Sequence, residues 1–181
     1  MSYRSETEKY RMLTTRYCGG CGIDIASQGD PVVPWAWSFD LPQDEFLVYN
    51  SNNPPHRPIP LRGHADKLPV TDGSLDFAYS SHLLEDYLEE QWTAVLTEWS
   101  RVLKVGGFLI VLCPERKLWA DALAKGQPPN CAHKYEPFVG DFARLKPACL
   151  KVVKEELTNV FEGDYSILFV GEKVDAAPVK A

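Results

Sequence analysis

Long apolar runs are what this sequence lacks first. The longest stretch, Phe108 to Cys113, falls far short of the ~20 residues that cross a bilayer. The opening residues, MSYRSETEKYR, contain no apolar segment of the kind a secretory leader carries. The sequence therefore predicts a soluble, cytoplasmic protein. Basic excess is missing too. There are 19 Lys and Arg against 25 Asp and Glu, for a net charge of −6. This argues against a sequence-independent grip on nucleic acid, which needs a surplus of Lys and Arg, and leaves room only for a local basic patch. A disulfide framework is also absent. The five cysteines (Cys18, Cys21, Cys113, Cys131 and Cys149) are odd in number and irregular in spacing, as expected of reduced thiols. Internal repeats and an interdomain linker are lacking. A chain of 181 residues then reads as one domain, residues 1-173, with a small, polar tail over 174-181.

The Cys18-Gly-Gly-Cys21 pair fits neither a redox motif nor a zinc site. A thioredoxin-like pair follows a strand and opens a helix, and this one follows a helix. A zinc site needs two further ligands, and no second pair exists, so no metal is expected.

The elements present alternate. Tyr10, Leu13 and Tyr17 recur at helical spacing from Glu6 to Tyr17, and Gly19-Gly20 ends that pattern. Gly22 to Ser27 and Ala36 to Leu41 read as strands, joined by a proline-containing loop with no room for a full helix. Asn50 to Pro60 is an irregular connection, and Pro60 to His64 a short third strand. Leu75 to Ser80 is a strand. Trp92, Val95, Leu96, Trp99 and Leu103 form one helical stripe. Gly106-Gly107 is expected to stop that helix and lead into Phe108–Cys113, whose unbroken apolar character suits a strand covered on both faces. Leu118–Leu123 reads as a short helix. Leu150–Leu157 and Tyr165–Val170 read as an antiparallel closing pair. Alternating strands and helices make an α/β sheet with right-handed crossovers. Ligands of such sheets sit beyond the carboxyl ends of the strands, near Ala26–Gln28, Asp40, His64–Asp66 and Ser80–His82.

Residues 63–115 resemble the class I S-adenosylmethionine-dependent methyltransferases. The residues that carry the resemblance are Gly63-His64-Ala65-Asp66-Lys67-Leu68-Pro69, Leu75-Asp76-Phe77, Leu84-Glu85-Asp86 and Arg101-Val102-Leu103-Lys104-Val105-Gly106-Gly107. The resemblance implies a Rossmann-like methyltransferase sandwich. Its sheet is mostly parallel with an antiparallel C-terminal hairpin, and the helices between the first strands are trimmed. It also implies S-adenosyl-L-methionine as cofactor and in-line methyl transfer to a small-molecule acceptor.

By that resemblance, the turn after the first strand (Asp24, Ala26, Ser27, Gln28) passes the cofactor's methionine portion. Asp40, followed by Leu41, grips the ribose hydroxyls. His64, Ala65 and Asp66 meet the adenine, and Ser80 and Ser81 line the junction with the acceptor. His82 and then His133 are the candidate bases, in the second case from a substrate loop that also holds Asn130 and Tyr135. Trp35 is the tryptophan placed to line a pocket. The chain departs from the family where Ala26 and Gln28 replace glycines, His64 replaces an acid, and Asp86 replaces a histidine. The trimmed crossover leaves one sheet face for the N-terminal helix, a second copy or a partner subunit to cover. Two other functions compete. One is a catalytically silent methyltransferase-like subunit that binds cofactor or a protein. The other is a nicotinamide-dependent oxidoreductase, disfavoured because no Gly-x-Gly-x-x-Gly follows the first strand.

Overall fold

The structure is a computed structural model that describes residues 5–50 and 54–175. The chain's first residues, part of the Asn50–Pro60 connection and most of the expected tail lie outside the described residues. Seven strands form one sheet: β1 (Gly22–Ile25), β2 (Trp37–Asp40), β3 (Leu61–Arg62), β4 (Leu75–Ser81), β5 (Leu103–Pro114), β6 (Leu150–Leu157) and β7 (Ser166–Lys173). Their order is β3-β2-β1-β4-β5-β7-β6. Every pairing from β3 to β5 is parallel, and β7 runs antiparallel to both neighbours. Val174 extends the last pairing by donating to the Cys149 carbonyl at 2.8 Å.

Alternation along the central strands sorts side chains to two faces. Leu109, Val111 and Cys113 of β5 join Ile167 and Phe169 of β7 on one face. The α3 helix (Glu89–Arg101) covers it with the predicted stripe Trp92, Val95, Leu96 and Trp99, and α5 (Asp141–Leu145) adds Phe142. Ile110, Leu112, Leu168 and Val170 face the other way. There Tyr10 of α1 (Glu6–Thr14) and the loop residues Val32, Val33 and Ala36 provide the cover. The N-terminal helix thus takes the place of the missing first crossover helix. Ser5 caps α1 by accepting from the Glu8 amide, and its hydroxyl donates to Asp30 at 2.6 Å, which ties the helix to that loop.

Two elements differ from expectation. The stripe helix stops at Arg101, not at the glycines, and β5 already begins at Leu103. Gly107 lies inside the strand, where a Cβ would come 3.0 Å from the carbonyls of Asp76 and Lys104. Its role is close approach between β4 and β5 beside an irregularity in their register. The second trimmed crossover contains a helix after all, α2 (Gln43–Tyr49), anchored by the buried Phe46. Asp44 and Glu45 in its first turn were a readable start signal. The remaining helix, α4 (Arg116–Ala124), follows β5 as expected.

Candidate functional site

The carboxyl ends of β1, β2 and β4 open onto one cavity of about 610 Å³. Of the residues predicted from sequence, Ala26, Ser27, Gln28, Asp40, Leu41, His64, Ala65, Ser81 and His82 line it. Asp24, Ser80, Asp66, His133 and Trp35 do not. Asp24 is buried beneath the turn, where Oδ2 accepts from the Val32 amide at 2.6 Å; burial pushes its carboxyl well up. It braces the loop from beneath the turn. Ser80 is fully buried and donates to the Ile25 carbonyl at 3.2 Å, pinning β4 to β1. Asp66 points out to solvent. Trp35 is exposed and donates its indole N–H to the Cys18 carbonyl at 3.2 Å. His133 lies behind the wall, Nδ1 3.1 Å from Glu136 Oε1, against the Trp119 ring.

The turn after β1 keeps a glycine-like backbone without the glycines. Ala26, Gln28 and Gly29 have φ of 64°, 50° and 76°. Side chains at Ala26 and Gln28 therefore sit in a conformation that costs an L-residue roughly 1–2 kcal/mol. Strain of this kind persists only where surroundings enforce it. Here the Ala26 and Ser27 amides both donate to the Phe39 carbonyl, and the Gln28 amide donates to Asp40 Oδ2 at 2.9 Å. Gly29 is obligatory for a second reason, since a Cβ would meet the Arg57 carbonyl at 2.4 Å. Gly29→Ala is expected to lower the melting temperature by several degrees, as backbone strain and clash together exceed about 1 kcal/mol. A scan showing an unchanged melting temperature would contradict this packing.

Asp40 is buried at the end of β2. Its Oδ2 takes the Gln28 amide and its Oδ1 the Leu41 amide at 3.0 Å. A carboxylate offers about four lone-pair sites, so two remain for a ligand. Burial raises its pKa against the two amide bonds and the nearby Arg62, which lower it. The Ala65 segment is held by the Trp99 indole, which donates to the Ala65 carbonyl at 2.8 Å. A stripe residue of α3 thereby fixes the far wall.

The opposite side of the cavity is built from the segment after β4. His82 has a φ of 55° and stacks on Tyr10 of α1. Its Nε2 lies 3.1 Å from Ser166 Oγ, and its Nδ1 lies 3.4 Å from Glu85 Oε1. Ser166, His82 and Glu85 thus line up like a hydrolase triad, but Ser166 is buried and already bonded to Tyr10, so it is no nucleophile.

Among the lining residues not singled out as site residues from sequence are Glu6 of α1, Tyr49 of α2 and Asp86. Tyr49 donates to Asp86 Oδ2 at 2.8 Å. Burial raises the Asp86 carboxyl to about 6; Tyr49 opposes the rise and the Glu85 charge adds to it. Asp86 was passed over because it occupies a position where the family carries histidine. Tyr49 was missed with its helix.

Residues 40–111 match the model of a family described as a methyltransferase domain. No curated protein matches by sequence. Solved structures match along nearly the whole chain. A protein from Pyrococcus horikoshii superposes with a TM-score of 0.68 at 18% identity, over 94% of this chain and 91% of that one. The fold is that of the class I methyltransferases. A methyltransferase from Thermotoga maritima gives a TM-score of 0.62 at 19% identity, over 95% and 89% of the two chains. A Burkholderia thailandensis N1-methyltransferase, solved with bound 1,6-didemethyltoxoflavin and S-adenosylhomocysteine, gives 0.60 at 11% identity, over 94% and 79%. The methyltransferase-like sheet and its domain assignment agree with the resemblance read from residues 63–115.

Proposed function

We propose that the chain is an S-adenosylmethionine-dependent methyltransferase acting on a small-molecule acceptor. One observation carries the reading: Asp40, buried at the end of β2, lines the cavity with acceptor capacity to spare. A cavity of about 610 Å³ suits a cofactor-sized ligand and a small acceptor. The binding of S-adenosylhomocysteine by the Burkholderia enzyme supports the choice of cofactor.

In this reading Asp40 takes the ribose hydroxyls, the strained turn over 26–29 carries the methionine portion, and Ala65 and His64 border the adenine. The cofactor supplies an electrophilic methyl group on a sulfonium, delivered in line to the acceptor's nucleophilic atom. The chain's contribution is alignment, which can supply much of the rate enhancement. Where the acceptor must lose a proton, Asp86 is the group on the wall to take it, because a carboxyl near 6 is poised close to neutral pH. His82 and His133 enter as wall and support. We assign residues 1-173 to one domain. A cytoplasmic setting accords with the five free cysteines. Among the described residues no helix is long and apolar enough to cross a membrane.

The silent-subunit reading draws on Ala26 and Gln28, whose Cβ atoms stand where glycine is usual. A thermal-shift screen separates the two. A methyltransferase melts higher with S-adenosylmethionine or S-adenosylhomocysteine than without, by ligand linkage, and shows no shift with NAD. Equal melting with and without both sulfur compounds would refute the reading.

A further inference from the structure

Glu85 is the buried ionisable group that the proposed reaction leaves unused. It sits in the 3-10 turn after β4 with no exposed surface, and neither of its carboxylate oxygens has a hydrogen-bond partner. A buried carboxylate without a countercharge is costly. Two imidazoles approach it: His82 Nδ1 at 3.4 Å and His133 Nε2 at 3.7 Å, both from Oε1. Its backbone carbonyl accepts the Lys134 and Tyr135 amides at 2.7 and 3.1 Å. One residue therefore lies against both histidines and bonds, through its carbonyl, the segment that follows the wall residues Asn130 to Ala132.

The protons along this chain can be counted. Tyr10 has one, and donates it to Asp164 Oδ1 at 2.9 Å. The 2.8 Å bond between Tyr10 and Ser166 must then use the Ser166 proton. The Ser166 oxygen is left as an acceptor toward His82, so His82 Nε2 carries a hydrogen. Nδ1 faces the Glu85 carboxyl group at 3.4 Å, and with that group ionised it carries one too. An imidazole with hydrogens on both nitrogens is the cation.

We propose that Glu85 is a positioning residue of the acceptor side, whose buried carboxylate holds His82 as an imidazolium against the cavity wall and anchors the following segment through His133. The proposal rests on the methyltransferase reading. Its consequence is that His82 does not receive the acceptor's proton, which leaves that task to Asp86.

The other groups around the pair fit. Glu6 Oε2 of α1 lies 3.7 Å from His82 Nε2. Burial alone would lower the His82 pKa, and Lys9 works in the same direction; Glu85 and then Glu6 outweigh them and leave it raised. On β7, Tyr165 meets the His82 ring edge-on. On β5, burial and then the Glu85 charge push the Cys113 thiol up, so it adds no anion. Asp86, next in sequence, is a further acid near Glu85, and Glu136 lies 3.1 Å from Nδ1 of His133.

With four histidines in the chain, imidazole nitrogen NMR resolves the question directly. At pH 7.5, with S-adenosylhomocysteine added, His82 of the wild type is expected to show both nitrogens protonated. In Glu85→Gln it should be neutral at that pH, with its midpoint lower by about one pH unit or more. S-adenosylhomocysteine affinity, measured by calorimetry, should stay within about threefold, because Glu85 lies outside the cofactor wall. A neutral His82 in the wild type overturns the proposal without any variant. An unmoved midpoint in Glu85→Gln overturns it as well. If S-adenosylhomocysteine gives no binding heat, the methyltransferase reading fails, while the His82 spectrum of the free protein still decides the role of Glu85.

Discussion

Asp40→Ala is expected to weaken S-adenosylhomocysteine binding by about 100-fold or more. Hydrogen bonds to a charged group are worth about 1.5–3 kcal/mol each, and two hydroxyls would be left without their acceptor. The effect has a second source. Asp40 also holds the Gln28 amide, so its removal releases the strained turn over 26–29, the proposed seat of the methionine portion. The global fold should survive, because Asp40 ends its strand at the cavity and the two hydrophobic layers lie elsewhere. Titration calorimetry on a variant with a cooperative melt measures the loss. Unchanged affinity would remove Asp40 from the ribose site.

Asp86→Asn should have two effects of opposite value to the protein. Turnover should fall on the order of 100-fold or more, the usual contribution of a general base. Stability at pH 7.5 should rise. The folded-state pKa of Asp86 is raised to about 6 from 3.8, so its contribution to stability is full below the lower value and is lost as pH rises through the upper one. At pH 7.5 the native state carries the whole penalty of a half-buried charge. An amide carries none, and its oxygen still accepts from Tyr49. The melting-temperature gap between variant and wild type should therefore narrow as pH falls from 7.5 to 5. A carboxylate kept at a cost in stability marks a functional position. If the variant melts below wild type at pH 7.5, Asp86 is a structural brace instead. Turnover is read as label from methyl-tritiated cofactor appearing in the acceptor.

Much of this architecture was legible because burial writes itself into periodicity. The Trp92, Val95, Leu96 and Trp99 stripe and the β5 run could be read directly, as could the closing hairpin. The Asp40 side of the cavity followed from its place at a strand end. The His82 side of the cavity was harder to read, for physical reasons. α2 is short and buries mainly Phe46, so its period is faint, and Tyr49 went unseen with it. Glu85 is not legible as a site residue, because nothing local marks a side chain that approaches His133, 48 residues away along the chain. His82 and His133 drew attention as bases by residue type. Only the positions of Ser166 and Tyr10, far away in sequence, reveal that Nε2 of His82 is already engaged. Gly106-Gly107 misled for a related reason: a glycine needed for close strand contact reads like a helix stop.

The central claim is that this cavity holds the methyl donor with its ribose on Asp40. A crystal structure of the chain grown with S-adenosylhomocysteine tests it most directly. The account predicts both ribose hydroxyls within hydrogen-bonding distance of the Asp40 carboxylate, the methionine portion along the turn over 26–29, and the sulfur facing the wall that holds His82 and Asp86. A complex with the nucleoside bound elsewhere, or crystals in which the ligand fails to enter at saturating concentration, would contradict it.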